Sequence, residues 1–122
     1  MFTSSPWRQS PVPVFIYTGT NDKGAETTGR KSPFGYNVVE NSTAAGQPKH
    51  YLWVNDVDHY LGGLWCRTDV AGPPDQDGLR AFTTASTAFL DAYTKADVAA
   101  LAFLKSAEIG SVSNNRATLS MK

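Results

Sequence analysis

Two short runs of β-forming residues, and the distance between them, constrain this chain more than anything else in it. Val14-Phe15-Ile16-Tyr17-Thr18 is β-branched or aromatic throughout and stops at Gly19, while His50-Tyr51-Leu52-Trp53-Val54 stops at Asn55. An unbroken apolar run bounded by turn residues is the pattern of a strand buried on both faces, so 14–18 is expected to be a central strand. Over 30 residues separate the two runs. That excludes a tight hairpin and leaves room for the crossover that parallel neighbours require. An α/β fold with parallel strands at about 14–18 and 50–54 is the expectation.

The rest of the chain fits around this pair. Residues 1–13 hold three prolines and three serines without periodicity and read as an irregular lead-in. Residues 19–49 are rich in Gly, Asn, Asp, Ser and Thr and broken by Pro33 and Pro48, so they read as loop with one short helix around Tyr36 to Val39. Beyond Pro73-Pro74, the residues Leu79, Phe82, Phe89, Leu90 and Tyr93 follow at spacings of 3, 7, 1 and 3, one stripe of a long helix over about 77–93. Thr94-Lys95-Ala96-Asp97 then caps a shorter helix over about 97–105, the threonine hydroxyl and the later acid meeting free amide donors. From Ser106 the chain is a polar tail with a short last strand at 117–119. The domain reading is therefore a lead-in at 1–13, an α/β unit over 14–105 and a tail over 106–122.

Composition narrows the function classes. With 41% apolar and 18% charged residues the chain is ordinary globular protein. Eleven basic residues balance eleven acidic ones, which gives no basic stripe for nucleic acid or an anionic membrane. Cys66 is the only cysteine, so an internal disulfide is excluded, and a packed small side chain is its expected role. No basic start followed by an apolar run opens the chain, and no stretch approaches about 20 apolar residues. A soluble protein is expected, cytoplasmic by default, although a signal upstream of a truncation point would be invisible.

The residues with chemical potential follow the two strands: the loop TGTND after the first and NDVDHYLGG after the second. In open parallel sheets, ligands bind beyond the carboxyl ends of the strands, where loops are exposed yet held by a rigid scaffold. Asp22 and His59 both fall there. A carboxylate that accepts the Nδ1 proton of a histidine fixes its tautomer and stabilises the imidazolium formed when Nε2 takes a proton from a nucleophile. The 37 positions between the two residues are no obstacle, because neighbouring strands bring their loops together. Asp22 also suits a plain turn role. Asp56 and Asp58 are alternative acids, but adjacent residues on a turn usually point away from one another.

Other candidates are weaker. His50 opens a strand without an acid placed to orient it, which suggests a strand-edge role. Ser86 has small neighbours, as a sharp nucleophile turn requires, but lies inside a periodic helix. The NDVDH cluster offers carboxylates and an imidazole yet lacks H-E-x-x-H, an EF-hand glycine or a cysteine pair, so neither a metal nor another cofactor is expected. Trp53, Trp65, Phe82, Phe89 and Tyr93 suit packing roles.

The segments PVFIYTGTNDKG, GRKSPFGY, KHYLWVNDVDHYLGG and FLDAYTKADVAALAFLKS together resemble the C-terminal third of α/β-hydrolases of the dienelactone-hydrolase-like and chlorophyllase-like esterase group, over about Pro13 to Leu119. The resemblance implies the C-terminal portion of an α/β-hydrolase fold, with Asp22 as triad acid, His59 as general base, Gly62-Gly63 as the glycine pair that follows it, and a closing helix against the sheet. It also implies a small carboxylic ester as substrate, with Tyr60 and Trp65 forming a partly aromatic wall beside His59. One departure is large. None of the ten glycines has a serine two positions on, so G-x-S-x-G is missing, and with it the nucleophile and the oxyanion-hole loop that should precede Val14. The expectation is a fragment of a serine hydrolase that is inactive alone. The alternative is a non-catalytic remnant that associates with itself or a partner through an exposed sheet edge.

Overall fold

A computed structural model describes residues 11–21, 47–64 and 73–121. Among them the chain runs β1 (Val14–Gly19), β2 (Lys49–Val54), a single 3-10 turn (Leu61–Gly63), α1 (Gln76–Thr94), α2 (Val98–Leu104), α3 (Ile109–Val112) and β3 (Ala117–Met121). The expected helix around Tyr36 to Val39 lies outside the described residues.

β1 and β2 pair in parallel, from Val14 beside Lys49 to Gly19 beside Val54. β3 adds to the other side of β2 in antiparallel sense, from His50 beside Met121 to Val54 beside Ala117, so the three-stranded sheet is mixed and ordered β1-β2-β3. The middle strand is β2, where Tyr51, Leu52 and Val54 are all 2% exposed or less. This corrects the expectation for 14–18. Among the described residues β1 is an outer strand, and Val14 to Tyr17 are only half-buried. A run of β-formers reports a packed strand but not how many neighbours it has.

The helices lie against the face formed by Phe15 and Tyr17 of β1, His50, Leu52 and Val54 of β2, and Ala117 and Leu119 of β3. Asp75 starts α1 by accepting the Gly78 amide at 2.8 Å, which satisfies one of the free donors of the first turn. The centre of the buried face of α1 is a seam of small residues, Gly78, Ala81, Ala85 and Ala92. Large residues flank it: Phe82 meets Tyr17 edge-on at 5.1 Å and Phe89 meets Phe15 at 5.5 Å. The predicted stripe was therefore rotated. Leu90, counted in it, is 56% exposed, because small residues, which carry little hydrophobic signal, let the helix approach the sheet and take the central positions.

The cap of α2 also differs from expectation. Asp97 accepts the Ala100 amide at 3.0 Å, whereas the Thr94 hydroxyl donates back to the Leu90 carbonyl at 2.6 Å and closes α1. Ala96, in the left-handed region at φ 54°, turns the chain between the two helices. The tail read as polar holds α3 and a strand that reaches Met121, with Ile109 and Ala117 in the common core. Asn114 and Asn115, at φ 58° and 62°, reverse the chain into β3; Asn tolerates that region better than most residues.

Candidate functional site

The loops that leave β1 and β2 are joined by hydrogen bonds. The Thr20 amide donates to the Val54 carbonyl at 3.1 Å and the Asn21 amide to the Val57 carbonyl at 2.9 Å. In return the Asp56 amide donates to the Thr20 hydroxyl oxygen at 2.7 Å. Gly19 is required by this approach: a Cβ there would overlap the Val57 side chain and carbonyl. Asp22, the residue after Asn21, lies outside the described residues, as do Trp65 and Cys66.

His59 sits on the second loop and is exposed, while Tyr60 is half-buried and presents its ring edge-on to the imidazole at 5.1 Å. The backbone around them is held in an uncommon shape. Asp56 at φ 58°, Leu61 at 54° and Gly62 at 65° are all left-handed. Leu61 is fully buried at that angle, which costs on the order of 1–2 kcal/mol for a non-glycine residue. Specific partners hold it there. One oxygen of Asp58 accepts the amides of Tyr60, at 2.8 Å, and Gly62, at 3.0 Å, and the Leu61 carbonyl accepts the Asp75 amide at 3.0 Å. Asp58, weighed from sequence as an alternative acid, thus commits that oxygen to the loop backbone. Gly62 approaches Pro73 so closely that a Cβ would overlap its carbonyl.

Behind the loop lies an ion pair that sequence reasoning missed. Arg116, immediately before β3, donates to both carboxylate oxygens of Asp75, at 2.7 and 2.6 Å, and to the Asn55 carbonyl from Nε and Nη2 at 3.1 and 2.9 Å. The hydrogen bond from Arg116 holds the Asp75 carboxyl below its ordinary value of 3.8, against the opposing effect of burial. The Pro-Pro-Asp sequence before a helical stripe could have marked Asp75 as a cap. Nothing local marks Arg116.

His50 occupies a different environment. It is fully buried near the start of β2, where Nε2 and the Tyr93 hydroxyl share a hydrogen bond of 2.6 Å and Phe89 packs edge-on. Burial, and secondarily the charge of Lys105, lowers its pKa from 6.5 to about 4, and Nδ1 is buried without a hydrogen-bond partner. The strand-edge role expected for it is replaced by a core position facing α1. Ser86 is a helical residue whose hydroxyl donates to the Thr83 carbonyl at 3.3 Å. Among the described residues no three His, Cys, Asp or Glu side chains are grouped to hold a metal ion, and no helix is long and apolar enough to cross a membrane.

The arrangement is therefore an exposed imidazole on a hydrogen-bonded loop at the carboxyl end of a parallel strand pair. Compared with protein-family models, curated proteins and solved structures, the chain matches none.

Proposed function

We propose that this chain supplies the acid and the histidine of a serine hydrolase acting on carboxylic esters, with Asp22 as orienter and His59 as general base and acid. The observation that carries this reading is the 2.9 Å hydrogen bond from the Asn21 amide to the Val57 carbonyl. It ties the residue before Asp22 to a residue two before His59. In the reaction, Asp22 accepts a hydrogen bond from Nδ1–H of His59 and stays ionised, while Nε2 takes the proton of a serine hydroxyl as its oxygen attacks the ester carbonyl, so that the imidazolium formed is stabilised by the carboxylate. The same proton then goes to the departing alkoxide, and a water repeats the sequence to release the acid. The serine and the oxyanion donors come from a segment outside these 122 residues, and Tyr60 and Trp65 contribute to the wall beside the acyl or alcohol group.

The test is the state of the His59 ring in long-range nitrogen–proton NMR spectra of the whole chain. An Nδ1-protonated ring that loses this signature in Asp22→Asn is expected. A ring indifferent to that substitution removes the pairing. Loss of a triad serine costs roughly a million-fold in turnover, so hydrolysis of a p-nitrophenyl ester by this chain should equal that of His59→Ala. A clear excess would place a nucleophile within the 122 residues.

A second reading, self-association through a sheet edge, is favoured by the exposure of Thr118, Ser120 and Met121 on β3, an outer strand among those described. It requires sedimentation that changes with concentration, and a monomer at all concentrations ends it.

A further inference from the structure

We propose that Arg116 is the positioning residue of the His59 loop, acting as a clamp across its two ends. The geometric part stands alone, and only its consequence for catalysis rests on the ester-hydrolase reading. Asn55 is the first residue beyond β2 and Asp75 the last before α1, and the described residues of the His59 loop, 56–64 and 73–74, lie between them in the chain. A single guanidinium holds both: Nη1 and Nη2 take the two oxygens of Asp75 at 2.7 and 2.6 Å, while Nε and Nη2 take the Asn55 carbonyl at 3.1 and 2.9 Å. The side chains of the pair are 24% and 14% exposed, which protects the bond from the screening that makes open ion pairs weak.

The planar guanidinium meets both carboxylate oxygens in parallel while a further N–H serves the carbonyl, and a lysine ammonium cannot reproduce that bidentate geometry. The clamp reaches the site by one further step. The Asp75 amide donates to the Leu61 carbonyl at 3.0 Å, and Leu61, two residues from His59, is the buried residue held at φ 54°. Fixing Asp75 fixes that carbonyl, and with it the turn that Asp58 closes through the amides of Tyr60 and Gly62. Arg116 immediately precedes β3, whose pairing with β2 is complete without this side chain. Its effect is therefore local to the loop.

Amide hydrogen exchange on the full chain tests the clamp. Arg116→Gln is expected to speed exchange at Tyr60, Gly62 and Asp75 about tenfold or more, while amides of the β1-β2 ladder keep their rates, since local opening and global unfolding are separable processes. Arg116→Lys should leave most of that acceleration in place. Asp75→Asn, which keeps an oxygen for the Gly78 amide but loses the charge-assisted fork, should give the same local acceleration even if the arginine variants fold poorly, and Arg116→Gln with Asp75→Asn should add little to either alone. Uniform acceleration through the ladder, unchanged loop rates, or full rescue by lysine would each overturn the clamp. The two proposals fail separately. Faster loop exchange with no Asp22-dependent ring signature keeps the clamp and removes the triad; the ring signature with unaltered loop exchange does the reverse.

Discussion

The two histidines of this chain sit at and beyond opposite ends of one strand, in surroundings built on different principles. At the start of β2, His50 is enclosed by Phe89 and Tyr93, with one ring nitrogen bonded and the other buried without a partner. Beyond its end, His59 is exposed on a loop whose backbone donates hydrogen bonds to Asp58 and Thr20 and accepts them from the amides of Asp75 and Asn21. Apolar enclosure keeps an imidazole neutral and immobile but removes it from any substrate. A polar scaffold leaves His59 exposed while hydrogen bonds hold the backbone around it. In the parallel pair β1-β2, His59 lies beyond the carboxyl ends of the strands, where open parallel sheets bind ligands, and His50 lies near their amino ends.

The comparison breaks most severely at Gly62. An alanine there must hold φ near 65° and overlap the Pro73 carbonyl, combining backbone strain with overpacking, for an expected loss of about 3–4 kcal/mol. Urea unfolding of Gly62→Ala measures it. If the loss is under about 1 kcal/mol, the loop adapts easily and the contrast between a rigid polar end and a packed apolar end disappears.

Acid separates the two ends by where each gives way. His50 has a folded pKa of about 4 against an ordinary 6.5. Below 6.5 the unfolded chain binds a proton that the folded chain resists, so stability falls as pH drops from 6.5 towards 4, by about 3 kcal/mol in all. The Tyr93 hydroxyl bonded to the ring is neutral and cannot offset the new charge, and the positive charge of Lys105 opposes it. Asp75 gives way later. Its folded pKa lies below 3.8, so its contribution is present above 3.8 and is lost only as pH falls through the depressed value. Denaturation curves from pH 7 to 3 should therefore show a first loss that His50→Phe with Tyr93→Phe removes and Asp75→Asn leaves intact. A first loss that persists in the double variant would relocate the acid-sensitive group.

These two ends were not equally legible in the sequence. The parallel strands and the long helix could be read because β-branched runs, their separation and a 3.6-residue period are local signals. The His59 loop could be placed at a carboxyl strand end for the same reason. The small-residue seam of α1 escaped because Ala81, Ala85 and Ala92 weigh little in a hydrophobic pattern, and Leu90 took their place in the predicted stripe. The sequence pattern understates β3 and the apolar content of the tail, since Ile109 and Ala117 are isolated apolar residues whose burial depends on neighbours far along the chain. The strain at Leu61 and the clamp by Arg116 left no local mark. Leucine is an ordinary residue until a buried turn forces it left-handed, and Arg116 meets its partner 41 positions away.

The gentlest probe is Asp58, whose single oxygen serves two amides. Asp58→Ala leaves those donors to water, and a net cost of about 1–2 kcal/mol is expected for two bonds to a charged acceptor in a half-buried turn. Asp58→Asn keeps an oxygen in place and should recover most of it. Both effects should stay local, with faster exchange at Tyr60 and Gly62 and no change at the amides of β2 near His50. The His59 ring is then the decisive observer. If its resonances broaden or split in Asp58→Ala while those of His50 do not, the polar end owes its order to individual hydrogen bonds. If both rings respond together, the two ends form one cooperative unit, and the rigidity beneath His59 comes from the shared core rather than from its own loop.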